Sequence, residues 1–409
     1  MPFAVYVLGL AVFAQGTSEF MLSGLLSGIA ADLGVTLPAA GHLTSVFAVG
    51  MVIGAPAMAL FSRAWPPRRS LLLFLGAFVA AHVLGALTPD HPVLLASRFV
   101  AALAYAGFWA VALSTAVSLA PAHLRARATA VVVGGVTVAC VVGVPAGAML
   151  GERWGWRSAF WAVALLCLPA VPAILRSVAP GTGTAGSTPS GTGVESAGVE
   201  RAGRVSARAE LRALARPPVP LTLLTMVLLQ GATFCTFSYL EPLLTRTTGL
   251  GTVWVPVALA LFGAGSFLGV TVSGRYADRR PVPLVATGLA ALTLGWSALA
   301  FLAERPSWTL CLILAQGTLA FGTGTALIAR VLSLAPGAPT LAGSACTVAF
   351  NLGATLGPWA GGLSLGAGAG FVAPVWVSAG LMGLALVTAG AALRRPGPAP
   401  EHSPEAAVR

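Results

Sequence analysis

Long apolar segments alternate with short polar ones along almost the whole chain. A helix needs about 20 residues to cross the roughly 30 Å hydrocarbon core of a bilayer, and apolar segments of that size recur twelve times. The first six predicted spans are 4–26, 40–61, 70–88, 93–119, 128–150 and 157–175. The second six are 218–244, 253–274, 282–303, 308–333, 340–364 and 371–393. The pattern predicts an all-α membrane protein with twelve transmembrane helices in two pseudo-symmetric six-helix halves.

A polar segment separates the two sets of spans. Residues 177–216 begin with a Gly/Ser/Thr-rich run and continue into an arginine-rich one, which is typical of a flexible linker. The sequence therefore predicts four parts. They are an N-terminal six-helix half at 1–176, a cytoplasmic linker at 177–216, a C-terminal six-helix half at 217–394 and a cytoplasmic tail at 395–409.

The composition excludes a soluble protein. Hydrophobic residues make up 57% of the 409 and charged residues only 9%, against about a quarter charged in a typical soluble domain. The net charge is +11, and every lysine-or-arginine position is an arginine, since the chain has no lysine. A nucleic-acid-binding patch would need a soluble domain to carry it, and the sequence shows none. The five cysteines lie inside apolar runs and the five histidines do not cluster, so we expect no metal site.

The arginines predict the orientation of the chain. With the N-terminus placed in the cytoplasm, 18 of the 23 arginines fall in cytoplasmic segments and 4 in outer loops. Cytoplasmic loops of membrane proteins carry such an excess of basic residues. We therefore expect a multi-pass membrane protein with both termini in the cytoplasm.

Two charged residues stand out inside the predicted spans, where a charge is costly unless it is paired or hydrated. They are Glu19 in the first span and Arg98 in the fourth. Gln15, Glu19, Ser23 and Ser27 recur every four residues and so share one helix face. We expect this polar face to line a water-accessible cavity and Glu19 to be the main proton-coupling carboxyl. A structural carboxyl bonded to a neighbouring helix is the alternative.

Arg98 is expected to lie at a similar depth to Glu19. Counting about 1.5 Å per residue, Glu19 lies roughly 22 Å from the cytoplasmic start of its span, and Arg98 roughly 9 Å from the outer start of its own. A Glu19–Arg98 pair, direct or through water, is therefore reasonable, and it would tune the loading of Glu19 with a proton. A structural anchor that extends to the outer interface is the alternative for Arg98.

Polar and aromatic residues within the spans are candidates for binding a drug-like substrate. Most aromatics in spans simply pack or face lipid, so each is a candidate only. The candidate substrate-binding residues are Gln15, Glu19, Ser23, Tyr105, Trp109, Phe234 and Asn351. For Glu241, near the outer end of the seventh span, a rim position and a substrate contact are both open.

Glycine–proline patterns occur at corresponding positions of the two halves. The fifth span contains Gly143, Pro145 and Gly147, and the eleventh contains Gly357 and Pro358. Small residues let helices approach closely and proline kinks a helix. We therefore expect these residues to take part in gating.

The loop after the eighth span reads GVTVSGRYADRR. A glycine turn with Arg275, Asp278 and Arg279 at a cytoplasmic helix end suits a charge-based gate that opens when the protein changes conformation. Arginines that only set the orientation, with an incidental aspartate, are the alternative.

Several of these segments resemble one known family. GTSEF (16–20) is similar to its acidic motif of helix 1, GRYADRR (274–280) to its inter-helix Gly/Asp/Arg motif, and GVPAGAMLG (143–151) to its antiporter motif of helix 5. Arg98 stands at the helix 4 position that the family links to proton transfer. The chain thus resembles the twelve-helix drug:proton antiporters of the major facilitator superfamily over nearly its whole length. More narrowly, QGTSEFMLSGLL and GVPAGAMLGERWGWRSAFWAVALLC (143–167, which includes GWRSAFW at 155–161) resemble chloramphenicol-resistance exporters.

The chain departs from the family pattern at three places. Ser27 stands where proline is usual, Glu241 stands where a small residue is common, and the loop SRAWPPRRS after the second span lacks the motif's aspartate. The resemblance therefore assigns no role to Glu241 and leaves the gate of the first half in doubt.

The resemblance implies proton-coupled efflux of a drug-like molecule by alternating access, with chloramphenicol resistance as the expected activity. A carrier of a natural metabolite, such as a sugar or an amino acid, is the alternative. A membrane enzyme or sensor would need a catalytic cluster or a soluble domain, so we do not expect an enzyme. We expect no cofactor beyond the proton gradient, a monomer in the lipid bilayer, and a small-molecule drug and protons as the partners.

Overall fold

The computed structural model describes residues 2–62, 65–121, 124–178, 215, 218–276, 281–335 and 339–393. Every regular element within these ranges is helical, and together they form twelve crossings, numbered α1 to α12. Of the predicted linker only 177, 178 and 215 are described, and the predicted tail lies outside the described residues.

The first half contains α1 to α6. Its helices are α1 (Phe3–Phe20, a 3₁₀ turn at Met21–Gly24, then Leu26–Leu33), α2 (Leu37–Ser62), α3 (Pro67–Leu87), α4 (His91–Leu119), α5 (Arg125–Val138, a π turn at Ala139–Gly143, then Val144–Trp154) and α6 (Trp156–Cys167 and Ala170–Ser177).

The second half contains α7 to α12. Its helices are α7 (Pro218–Ser238, Leu240–Pro242 and a π turn at Leu243–Thr247), α8 (Trp254–Tyr276), α9 (Pro281–Leu302), α10 (Pro306–Leu334), α11 (Pro339–Gly366) and α12 (Ala373–Leu393).

Eleven of these crossings have the length and apolar composition of a membrane-spanning helix within the described residues. The twelfth, α11, is also long enough at 28 residues, but it is less apolar. The predicted fold class is confirmed. The described residues form a multi-pass, all-helical membrane protein.

The two halves repeat one packing scheme. In the first half α1 packs on α5 and α6, α2 on α4, and α3 on α4 and α6. In the second half α7 packs on α11 and α12, α8 on α10, and α9 on α10 and α12. Each half has its own apolar core. The two main contacts between halves, α2 with α11 and α5 with α8, are also equivalent under this symmetry.

Helix α1 is interrupted, whereas the sequence predicts one helix over 4–26. Ser23 donates its hydroxyl proton to the Phe20 carbonyl at 2.9 Å, and such a local bond competes with the helix ladder. Leu25 leaves the helical region, with φ −125° and ψ −7°. The segment then restarts at Leu26 and ends at Gly34, whose left-handed φ of 64° suits glycine. The polar face predicted from Gln15 to Ser27 is therefore not continuous.

Helix α5 contains a π turn just before Pro145. Proline has no N–H, and its ring clashes with the carbonyl four residues earlier. The backbone accommodates it by widening at Ala139–Gly143, a common local solution inside α-helices. The sequence predicts a kink here; the structure shows a wider turn.

Glycines let the backbones of α7 and α11 come into contact. A Cβ atom on Gly357 would lie 3.0 Å from the Cys235 nitrogen and closer still to the Gly231 carbonyl oxygen. A backbone cannot move aside as a side-chain tip can. Only glycine therefore fits at this crossing.

We predict that Gly357→Ala destabilises the protein and that Gly380→Ala does not. Added volume in a tight contact costs about 1–3 kcal/mol, whereas a Cβ atom on the exposed helical Gly380 meets no other atom within 4 Å. The measurement is the thermal-unfolding midpoint of each variant in detergent. Equal midpoints would show that the α7–α11 crossing tolerates a methyl group.

Candidate functional site

Arg98 is buried within the first half, with only 1% of its surface exposed. Its Nη1 donates to the Ser18 hydroxyl oxygen at 2.6 Å, and its Nη2 donates to the Ser18 carbonyl oxygen at 2.9 Å. The guanidinium carbon lies 4.3 Å from the centroid of the Phe47 ring and 5.8 Å from that of Phe160. Aromatic faces attract such a cation. The alternative of an anchor extending to the outer interface does not match this burial.

Glu19 is half-buried and follows Ser18 directly in the chain. Glu19 and Arg98 do not form a direct ion pair. Among the described residues the one ion pair joins Asp32 and Arg157. Arg98 instead binds the neighbouring residue of α1, and its Nε makes no hydrogen bond with a described residue. Glu19 thus lies next to Ser18, the residue that binds Arg98, but its carboxylate forms no ion pair with Arg98.

The other polar candidates on α1 differ in their surroundings. Gln15 is fully buried, and neither of its amide atoms has a hydrogen-bond partner among the described residues. An unpartnered buried amide is uncommon and is a feature of binding sites. Ser23 is also buried, but its hydroxyl is used within the interrupted turn of α1. Gln15 is therefore the better candidate of the two for a substrate contact.

Aromatic candidates flank this part of α1 on two sides. On α4, the rings of Tyr105 and Trp109 meet edge to face at 6.4 Å. The Tyr105 hydroxyl lies 3.7 Å from the position that a Cβ atom on Gly16 would take. On α7, Phe234 packs against Phe20 at 5.7 Å and so connects the halves next to Glu19.

The structure does not bring every candidate into this group. Asn351 on α11 is half-buried and donates its amide proton to the Thr347 carbonyl oxygen of its own helix at 3.0 Å. No hydrogen bond among the described residues joins it to the α1 residues.

The glycine–proline motifs lie at helix crossings within each half. A Cβ atom on Gly143 would meet the Thr17 side chain, and one on Gly147 would lie 3.2 Å from Met21 Cβ. In the second half, the Pro358 carbonyl oxygen accepts a hydrogen bond from the Tyr239 hydroxyl at 2.9 Å. These motifs therefore shape α1 and α7, the two helices that carry the candidate site.

The proposed cytoplasmic gate is not tested by the structure. Asp278 and Arg279 lie outside the described residues, and of Arg275 only the backbone, in the last turn of α8, is described.

Among the described residues, two side-chain hydrogen bonds between the halves lie at one end of the molecule. We call it the outer end; it carries the α1–α2, α5–α6 and α7–α8 connections, which the arginines predict to face outside. The Ser27 N–H donates to Glu241 Oε2 at 3.1 Å and the Thr252 hydroxyl to Glu152 Oε1 at 2.5 Å. Nearer the centre, the Ser45 hydroxyl donates to the Thr355 carbonyl oxygen at 2.9 Å.

Ser27 and Glu241, two departures from the family pattern, thus contact each other. The break in α1 leaves N–H groups without a partner at the start of Leu26–Leu33, and the carboxylate of the opposite half accepts one of them. A proline at position 27 would have no N–H to donate.

A cavity of about 510 Å³ opens between the halves at the outer end. Glu241, Glu152 and Asp32 line it, together with Trp156 and Thr252. None of the predicted substrate-binding residues lines it. A hydrogen bond from Arg157 lowers the pKa of Asp32, and the Trp156 indole N–H at 3.2 Å adds to this effect.

Sequence reasoning missed His82 and Glu152. His82 on α3 lies 2.6 Å from the Ser18 hydroxyl and is buried. The spacing of the histidines along the chain bears only on a metal site. The informative signal is an ionisable ring inside a predicted span, the same signal that identified Glu19 and Arg98. Glu152 carries no such signal, because it lies outside the predicted spans. Its partner Thr252 is also distant in sequence.

Comparisons with known proteins agree with this architecture. The Major Facilitator Superfamily model matches residues 8–345. A chloramphenicol resistance protein of Streptomyces lividans is 50% identical over 389 residues, which cover 95% of this chain and 96% of that protein. The inner membrane transport protein YdhP of Escherichia coli K12 is 34% identical and covers 94% of each chain.

Solved structures share the fold. A bacterial homologue of the human lysosomal transporter Spinster, in an inward-facing and unoccupied conformation, aligns with a TM-score of 0.71 at 19% identity. The alignment covers 98% of this chain and all of the other. Together with the family match over most of its length, this shows that the chain belongs to the major facilitator superfamily of membrane transporters.

Proposed function

We propose that this protein exports chloramphenicol, or a close amphenicol, from the cytoplasm in exchange for protons. The observation that carries the proposal is the half-buried carboxyl of Glu19, unpaired beside the anchor of the buried Arg98. The 50% identical chloramphenicol resistance protein supports the substrate class. The protein acts in the bacterial inner membrane as a monomer with both termini in the cytoplasm, and it needs no cofactor beyond the proton gradient.

Glu19 carries the proton in this mechanism. A carboxyl that is only half-buried and free of an ion pair can gain and lose its proton as the space around it opens to either side. Arg98 stays charged throughout, because a guanidinium does not deprotonate under ordinary conditions. Its positive charge favours the carboxylate, and burial favours the neutral acid. Alternating access changes the second effect, so the proton is released on one side and taken up on the other.

The drug binds where the polar and aromatic candidates surround this part of α1. Chloramphenicol is neutral, aromatic and polar at its hydroxyls, which suits aromatic faces and a few hydrogen-bonding groups. The unpartnered amide of Gln15 and the rings of Tyr105, Trp109 and Phe234 offer both. Export of a neutral drug in exchange for protons is driven by both the membrane potential and the pH gradient.

Alternating access requires that the two halves separate first at one end and then at the other. In the described conformation the halves meet at the outer end through the Ser27–Glu241 and Thr252–Glu152 hydrogen bonds. These bonds must break when the outer end opens to release the drug. They therefore favour the conformation that is closed outside.

We predict that Glu19→Gln abolishes gradient-driven efflux, because the amide keeps the shape of the carboxyl but does not titrate. The measurement is chloramphenicol efflux from vesicles with an imposed pH gradient. Glu304→Gln is the matched control, since Glu304 lies exposed in the α9–α10 connection and should leave efflux unchanged. Wild-type efflux by the Glu19→Gln protein would refute the assignment of Glu19.

We predict that removal of the Ser27–Glu241 contact favours the conformation that is open outside. Glu241→Ala removes the acceptor, and Ser27→Pro removes the donor at a helix start, where proline is tolerated. A hydrogen bond to a charged group contributes about 1.5–3 kcal/mol, so the equilibrium should shift about tenfold or more. Glu241→Gln, which keeps an acceptor oxygen, should have a smaller effect.

The readout is the labelling rate of a cysteine at Ala148, a buried residue that lines the outer cavity, by an impermeant maleimide. The exposed Cys311 is first changed to serine. Ser158→Ala is the control, because that hydroxyl bonds only within the first half. Unchanged labelling in both contact variants would show that the contact does not hold the outer end closed.

For the substrate, we predict that expression in a susceptible, pump-deficient host confers chloramphenicol resistance. The drug should be recovered chemically unmodified, and a protonophore should abolish the resistance because it removes the driving force. The measurement is drug accumulation in cells that express the wild type or Glu19→Gln. Free accumulation in wild-type cells would refute chloramphenicol as the substrate and favour the natural-metabolite carrier, while the transporter assignment would stand.

A further inference from the structure

His82 is an ionisable side chain with no role in the mechanism given above. It lies inside α3 and is 1% exposed. Its ring packs at 4.1 Å from the Phe78 ring and at 5.6 Å from the Phe160 ring. A polar ring buried inside a membrane-spanning bundle is costly unless both nitrogens are hydrogen-bonded.

Both ring nitrogens have a partner. Nδ1 lies 2.9 Å from the Phe78 carbonyl oxygen, and Nε2 lies 2.6 Å from the Ser18 hydroxyl oxygen. The same hydroxyl accepts a hydrogen bond from Arg98 Nη1 at 2.6 Å. His82, Ser18 and Arg98 therefore form one network that joins α3, α1 and α4.

The direction of each hydrogen bond follows from the chemistry of its partners. A carbonyl oxygen only accepts, so Nδ1 of His82 carries a hydrogen. A guanidinium only donates, so Arg98 uses a lone pair of the Ser18 hydroxyl. The hydroxyl proton then has Nε2 of His82 as its acceptor. A neutral imidazole with its hydrogen on Nδ1 satisfies all three groups at once.

A doubly protonated ring does not fit this network. Ser18 would then receive two donors, and its own proton would have no acceptor in the network. Two cations would also share one hydroxyl in an apolar interior. The geometry therefore favours the neutral form of His82.

We infer that His82 is a positioning residue. Through Ser18 it holds the Arg98 guanidinium on α1, beside Glu19 but out of a direct ion pair with that carboxylate. The inference rests on the proposed function of Glu19 as the proton carrier. By this arrangement Glu19 stays free to exchange its proton, while Arg98 remains close enough to act on it.

The consequence of losing His82 follows from the chemistry of serine in a helix. Without the Nε2 acceptor, the Ser18 hydroxyl can rotate and donate its proton to a carbonyl oxygen of its own helix. This rotation also moves the hydroxyl lone pair that accepts from Arg98. Arg98 then loses one of its two hydrogen bonds to Ser18. The Arg98 and Glu19 charges are already close enough to interact, so the released guanidinium can approach the carboxylate. A direct pair would keep Glu19 ionised and block proton transfer.

Two substitutions separate positioning from packing. His82→Phe keeps an aromatic ring between Phe78 and Phe160 but offers no acceptor to Ser18. His82→Gln loses the ring but keeps an amide oxygen to accept from Ser18 and an N–H to donate to the Phe78 carbonyl. If His82 only packs, the His82→Phe protein keeps gradient-driven efflux and the His82→Gln protein loses it. If His82 positions Arg98, the order is reversed.

The transport experiment compares gradient-driven efflux of chloramphenicol with drug–drug exchange, which needs no proton transfer. We expect His82→Phe to lower gradient-driven efflux about tenfold, as for loss of about 1.4 kcal/mol, with drug–drug exchange changed less than about twofold. His82→Gln should recover most of the efflux. Once Ser18→Ala has removed the hydroxyl, His82→Phe should cause no further loss. Efflux retained by His82→Phe, or an equal loss of efflux and exchange, would overturn the inference.

A second readout does not depend on transport. Nitrogen NMR of histidine-labelled protein, with the His82 signal assigned by its absence in His82→Gln, should show a neutral ring with its hydrogen on Nδ1. A charged ring, or one with its hydrogen on Nε2, would overturn the network. If the wild type shows neither efflux nor exchange of chloramphenicol, the proposed substrate is wrong, and the NMR result still decides for or against the network.

Discussion

A buried arginine needs hydrogen-bond acceptors and aromatic faces, and much of the first half is arranged to provide them for Arg98. The acceptors come from Ser18 on α1, and the rings come from Phe47 on α2 and Phe160 on α6. His82 on α3 completes the set by bonding Ser18. Five of the six helices of this half therefore meet at one charged group. Since an unpartnered charge in an apolar interior is very costly, these contacts constrain the relative positions of those helices.

The glycine-rich crossings bring backbones into close contact, and at the α7–α11 crossing the Tyr239 hydroxyl adds a hydrogen bond to the Pro358 carbonyl oxygen. α1 meets α5 and α7 meets α11 through equivalent glycines, so each half is packed as a unit. The main contacts between the halves are those of α2 with α11 and of α5 with α8, together with the Phe20–Phe234 contact and a small number of polar bonds at the outer end. Two firmly packed bodies joined by a limited interface can rock against each other without repacking their cores.

The sequence predicted the helices well because each span must be long, apolar and internally hydrogen-bonded, which leaves a strong and local pattern. It also identified Glu19 and Arg98, since a charge inside an apolar run stands out. It did not predict the break after Phe20, because that depends on a serine bonding its own backbone. The contact of Ser27 with Glu241 could not be predicted from the sequence either. The two residues lie 214 positions apart, and no local pattern records which residues of the two halves will meet.

Three consecutive residues of α1 each supply a different part of the candidate site. Ser18 anchors Arg98, Glu19 offers the titratable carboxyl, and Phe20 contacts Phe234 of the opposite half at 5.7 Å. A ligand shifts a conformational equilibrium only by as much as it binds one state better than the other. With Glu19 as the proton carrier, the proton acts on a residue whose neighbour lies in the contact between the halves. The coupling from proton to conformation then needs no long chain of residues, and the interruption of α1 at Met21–Gly24 lies directly beyond that contact, where α1 is best able to bend.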